Sequence, residues 1–514
     1  MRRSLAGHAA ALTALSALAA LVALTVLAVL ATLPVAGPVA AAEAAGEIVD
    51  HPDKLVFEPL DYRPPHPDAY RRTLKCGATA YVAEAHELPT FELSVLVRTG
   101  AIYEPREKAG LADITAYLMR SGGVAGMTAA ELDERLAYLA GEISVRIDED
   151  RGIATLFCLS KDIDAGLELF GKVLRDPVFD QQALDRYRAD VLSELSQRNS
   201  STSEIEAREW AFLIYGDHPR TAFLRRTGQS VNSITREDLA AFHRKYFFPR
   251  NFTIAASGDF KTREILAKLD RMLAGWPNPA LDLPPVPDRI PDPEPGVYMI
   301  EKDDVNQSRV TVGHVGIERD NPDEYAVSVM NDILGGGGFS SRIIRRVRSD
   351  EGLAYNAGSA FDRPVLYPGT FRAWFQTKHA TAAFGTRLIV DEINRIRTET
   401  CEPEIVENAK AGFVSGVVNR FSGKKATVMT LAEDSYTGRP DAYWQNYADN
   451  IRAVTPDDVL AAARKYLHPD KLVFLVVGDP NAAEQGSDKH PEHFSDFGRI
   501  TVLPLRDPMT LEVR

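Results

Sequence analysis

The sequence predicts an α+β protein of two homologous domains, each an antiparallel sheet packed against helices. Three observations carry that prediction. A segment at 231–260 returns at 451–480, strand and helix patterns alternate within each half, and a proline-rich stretch divides the halves. In the repeat, Thr235/Thr455, Asp238/Asp458, Tyr246/Tyr466, Pro249/Pro469 and Gly258-Asp259/Gly478-Asp479 align with an offset of 220. Each copy reads the same way: a threonine followed by acidic residues caps a helix, a tyrosine ends it, a proline turns the chain out. A β-branched run then closes on Gly-Asp.

Arg2 and Arg3 precede an Ala/Leu/Val run over about residues 9–36, and small residues follow Pro38. Residues 1–42 therefore read as an export signal cleaved after Ala42. Uncleaved, the run is long enough to span a bilayer, so a membrane anchor is the alternative. Both readings place the rest of the chain outside the cytoplasm, and a periplasmic location is expected.

The first domain is expected over 55–275. Residues 78–85 and 90–100 alternate like the two arms of a hairpin, joined by His86-Glu87-Leu88-Pro89. GLADITAYLMRSGG, residues 110–123, reads as an amphipathic helix stopped at Gly122-Gly123. A helix at 129–140, strands ISVRIDED and GIATLFCLS, and helices at 162–175 and 180–198 follow. Between those strands, Asp148 to Arg151 read as an exposed charged turn. The sheet edge is expected near 141–146. Residues 276–296 carry no apolar periodicity and read as a stiff, solvated linker. The second domain spans 297–485, where SRVTVGHVG reads as an inner strand with His314 in a structural role. Residues 486–514 form a polar tail with a short apolar run at 501–505.

The chain has 514 residues and a formal net charge of -13, which argues against a nucleic-acid or anionic-membrane surface. Cys76, Cys158 and Cys401 have no ligand-like spacing and read as buried small hydrophobes. His218 and His243 lie singly, as framework residues. In the second half, Gly335, Gly336, Gly337 and Gly338 read as a flexible segment that approaches another chain or a peptide closely. A helix over 339–348 with basic residues at 342, 345, 346 and 348 ends at Gly352, before Leu353-Ala354-Tyr355. A glycine run without a following lysine is no phosphate loop.

Gly110-Leu111-Ala112, the Gly pair that begins at Gly122, and Arg348 through Gly352-Leu353-Ala354 to Tyr355 together resemble the pitrilysin/insulinase family of zinc metallopeptidases, in its short two-domain members. The resemblance covers about residues 65–485. It implies that active relatives carry His-x-x-Glu-His on this helix, two zinc ligands and the glutamate that activates water, with a third ligand further on. Here Asp113 stands at the first histidine, Ala116 at the glutamate and Tyr117 at the second histidine, and Glu194 stands at the third ligand. Alanine is no base and tyrosine an uncommon ligand, so no metal is expected in this chain. Read from its own neighbours, Glu194 is a solvated or salt-bridged helix residue.

The same resemblance implies a substrate-gripping, oxyanion-stabilising pair spaced as Arg348 and Tyr355 are; Ser349 departs from the acidic residue usual after the arginine. One half of the catalytic set is absent and the other present. The expectation is thus the zinc-lacking subunit of a heterodimeric metallopeptidase, inactive alone. Zinc would reside in a homologous partner subunit, and unfolded peptides would be the substrates. The glycines at 335–338 would line the substrate channel. The alternative is a non-catalytic binding or scaffold protein on the same fold.

Overall fold

The computed structural model describes His51, Leu55 and residues 62–513. The expected signal or anchor at 1–42 lies outside the described residues. From Tyr62 onward a single contact unit holds two six-stranded sheets. The first comprises β1 (Arg71–Thr73), β2 (Thr79–Glu84), β3 (Thr90–Val97), β4 (Glu142–Ile147), β5 (Gly152–Leu159) and β6 (Phe252–Gly258), in the order β1-β2-β6-β3-β5-β4. The second comprises β7 (Gly296–Glu301), β8 (Gln307–Val315), β9 (Ala357–Phe361), β10 (Thr370–Lys378), β11 (Val473–Gly478) and β12 (Ile500–Leu503), in the order β12-β7-β11-β8-β10-β9.

The repeat is realised in detail. Thr235 and Thr455 each form a capping box with Asp238 and Asp458, and each helix leads to a strand at the heart of its sheet, β6 or β11. This corrects the expected hairpin of residues 78–100. β2 and β3 do not pair with each other, because β6 lies between them, parallel to β2 and antiparallel to β3. β6 is buried along its whole length, and the centre of the sheet is the only place such a strand is covered on both faces. The expected edge is β4, which pairs only with β5. β8 is an inner strand, and His314 is buried there, its Nε2 accepting from the His468 amide at 3.1 Å.

Residues after 485, expected as a tail, belong to the fold. β12 runs parallel to β7, and the chain then returns to the first half, where Met509 O accepts from Gly228 N at 2.8 Å. The apolar residues Ile500 and Val502 sit in a strand register because β7 would otherwise present a bare edge.

The halves exchange equivalent helices. Helix Thr202–Tyr215 of the first half lays Trp210, Ile214 and Tyr215 against Val473, Leu475 and Val477 of the second sheet. Helix Lys424–Thr437 lays Val428, Leu431 and Tyr436 against Tyr81, Leu96 and Ala255 of the first. Polar bonds seal the first crossing: the buried Glu206 accepts from Arg309 Nε at 2.6 Å and from the Thr311 hydroxyl.

Candidate functional site

The first helix, Leu111–Ser121, is positioned from both ends. Gly110, at φ +102°, starts it in the left-handed region that disfavours a side chain. The Glu104 carboxylate accepts from the amides of Gly110 and Ala112, both at 2.9 Å, and so caps the helix. Burial pushes the Glu104 carboxyl up to about 7, against the pull of those two amides. Gly122 ends the helix, and a Cβ there would meet Leu118 O at 2.6 Å.

Helical spacing puts Asp113, Ala116 and Tyr117 on one face. That face lines a cleft of about 480 Å³, opposite Val145, Arg146 and Ile147 of the edge strand β4. Glu194 comes up from helix Gln181–Gln197. The structure thus brings the two carboxylates to one place, joined by a residue that the sequence reading missed. Arg226 donates from Nη1 to Asp113 Oδ2 at 3.4 Å and from Nη2 to Glu194 Oε1 at 3.2 Å. Tyr187, on the Glu194 helix, donates its hydroxyl to Asp113 Oδ2 at 3.2 Å and stacks on Tyr117 with ring centroids 3.7 Å apart. Asp113, Tyr117 and Glu194 are thus joined in one network, Tyr117–Tyr187–Asp113–Arg226–Glu194, in which Glu194 is salt-bridged. Burial raises the Asp113 carboxyl, while Arg226 and the Tyr187 hydroxyl pull it down. Tyr187 could have been found from the sequence: it lies seven residues before Glu194, two helical turns away on the same face. Arg226 carried no such signal.

This donor set does not fit a zinc ion. Zinc takes oxygen and nitrogen ligands at about 2 Å in a tetrahedron. Here a guanidinium already sits between the carboxylates, Ala116 offers no donor, and burial pushes the Tyr187 phenol up, away from the phenolate a metal would need. Among the described residues no group of three or more His, Cys, Asp or Glu side chains could hold a metal ion.

The charged turn at 148–151 also lines this cleft, through Asp148 and Glu149, and it is not a solvated run. Glu149 accepts from Arg220 and from the Tyr367 hydroxyl of the second half, and burial pushes its carboxyl up to about 7. His218 and His243 are framework, bonded to the carbonyls of Pro287 (2.8 Å) and Leu174 (2.8 Å). Cys158 and Cys401 are buried; Cys76 is only partly so.

In the second half, Arg348 stands between two exposed rings, its guanidinium carbon 4.4 Å from the Phe339 centroid and 4.6 Å from that of Tyr355. Phe339 is 68% and Tyr355 85% exposed. Gly352, at φ +64°, ends the helical turns over Arg342–Asp350, and Thr377 fixes the following loop by donating to Leu353 O at 2.8 Å. Neither Arg348 nor Tyr355 lines the cleft beside Asp113. The four glycines do not form the flexible segment expected of them. Asp332–Gly336 is a wide helical turn, and a Cβ on Gly335 would meet Ser359 of β9 at 2.5 Å, so the buried Gly335 serves close packing on the sheet. Gly336 and Gly338 face outward.

Comparison with known proteins relates both halves of the chain to one family. Residues 81–211 match the model described as Insulinase (Peptidase family M16), and residues 233–413 match that of the Peptidase M16 inactive domain. A solved peptidase M16 inactive domain from Pseudomonas fluorescens superposes with a TM-score of 0.73 at 26% identity, covering 80% of this chain and 97% of that one. A Helicobacter pylori relative named as the non-peptidase homolog YmxG is 23% identical over 406 residues, 77% of this chain and 90% of that protein. A probable mitochondrial-processing peptidase subunit beta from Arabidopsis thaliana is 21% identical over 457 residues, 84% of each.

Proposed function

Since the chain belongs to the insulinase (peptidase M16) family, we propose that it is the zinc-lacking subunit of a heterodimeric metallopeptidase, exported to the periplasm. In this reading a homologous partner supplies the zinc, and this chain supplies Arg348 and Tyr355 to unfolded peptide substrates. The observation that carries the proposal is the contrast between the two sites. The metal-motif carboxylates are engaged within the chain by Arg226, whereas Arg348 stands half-buried and preassembled against the exposed Tyr355. The stacking holds the guanidinium and the phenol ready to donate to a substrate carbonyl as negative charge develops on its oxygen. Zinc in the partner would polarise that carbonyl and activate the attacking water. Gly336 and Gly338, beside Phe339, would border the path of the peptide.

The native complex, co-purified with its second chain identified, tests this directly. Arg348→Ala or Tyr355→Phe is expected to lower kcat/KM for peptide cleavage by about a hundredfold. The name of the H. pylori relative favours a second reading, a non-catalytic binding or scaffold protein. A complex whose peptidase activity both variants leave within about twofold of the parent decides for that reading.

A further inference from the structure

We infer that Arg226 is a built-in cation that stands in for a metal ion between Asp113 and Glu194, and that it keeps this site closed to metal even when metal ligands are supplied. The geometry requires a cation there. Two helices bring two carboxylates together, and Arg226 answers both at 3.4 and 3.2 Å, so its guanidinium occupies the space between them that a shared ion would take. A divalent ion entering beside the guanidinium would also meet its positive charge.

Arg226 has nowhere else to go. It is 7% exposed, its guanidinium carbon lies 3.9 Å from the Phe223 ring centroid, and its stem passes Gly110 so closely that a Cβ there would stand 3.2 Å from Cδ. Its backbone is pinned on either side: Arg226 O accepts from Arg198 at 2.9 Å, and Gly228 N donates to Met509 O at 2.8 Å. The C-terminal segment thereby clamps the loop that carries the cation. The opposite end of the bridge is open, because the Glu194 side chain is 65% exposed, so exclusion comes from the arginine and not from inaccessibility.

Zinc content of the purified, dialysed chain tests the inference, whether or not a partner exists. The triple variant Asp113→His, Ala116→Glu, Tyr117→His is expected to retain less than about a tenth of an equivalent of zinc, and the same variant with Arg226→Ala about one. A full equivalent with Arg226 present overturns the inference, as does an empty but folded quadruple variant. A second arm needs one substitution only. Arg226→Ala in the otherwise native chain is expected to lose thermal stability, because Asp113 and Glu194 then face each other without a counter-charge, and zinc is not expected to restore it, since two carboxylates beside Ala116 and Tyr117 lack the ligands a zinc ion needs. Arg226→Lys is expected to hold most of the Tm without metal. A folded Arg226→Ala chain with the parent's Tm overturns the inference too.

Discussion

The cleft beside the first helix and the turn that carries Tyr355 are both built from arginine and tyrosine, yet they are opposites. In the first, Arg226 is buried and spends both of its terminal nitrogens on carboxylates of its own chain, and Tyr187 spends its hydroxyl the same way. In the second, Arg348 rests between two exposed rings and is bonded to no carboxylate among the described residues. The lesson is that residue type does not separate a structural pair from a recognition pair. What separates them is whether the donors are consumed within the fold.

Several substitutions would break or sharpen that contrast. Arg226→Ala is expected to cost about 2 kcal/mol in denaturant unfolding, because it leaves the half-buried Asp113 carboxylate without its counter-charge. A cost under about 0.5 kcal/mol would make the pair a surface ornament.

The closed region is also expected to be pH-sensitive. The Glu104 carboxyl holds its proton up to about 7 in the folded chain, against an ordinary 4.5. Between those values the native state binds a proton that the unfolded chain has already lost. Its contribution is therefore full below 4.5, is lost as pH rises towards 7, and is flat above. The whole effect is at most about 3 kcal/mol, and Glu104→Gln should flatten that part of the Tm–pH curve. An unchanged curve in the variant would contradict the assignment.

Gly110→Ala is expected to cost about 1–2 kcal/mol, combining strain at φ +102° with pressure on the Arg226 stem. Pairing it with Arg226→Ala in a double-mutant cycle should show coupling. The smallest effect is expected at the open site. Arg348→Ala and Tyr355→Phe should leave stability within about 0.5 kcal/mol, because neither group is buried or paired with a charge. A larger loss would mean that this pair, too, serves the fold.

Much of the fold was legible because it rests on local rules. The two capping boxes and the Gly122 stop are short-range chemistry, and they appear where the residues put them. The hairpin expected over 78–100 failed because the rule that sequential strands pair yields to burial. The fully buried β6, some 150 residues later, takes the place between β2 and β3. Glu149 read as a solvated turn residue because its partners, Arg220 and Tyr367, lie 71 and 218 residues away. The glycines at 335–338 read as a loop because nothing in a glycine run reveals that Ser359 will be packed against it.

By itself, the sequence determined the duplicated α+β plan, the missing histidines at 113 and 117, and the presence of Arg348 and Tyr355, since all of these are matters of residue type and spacing. Tertiary structure alone decided what fills the metal-motif site. Asp113, Tyr187, Glu194 and Arg226 come from segments spread over more than 110 residues, and only the packing of their helices and loop sets a guanidinium between two carboxylates. Electrostatic compensation is a condition on distances, and distances between remote segments exist only once the chain has folded.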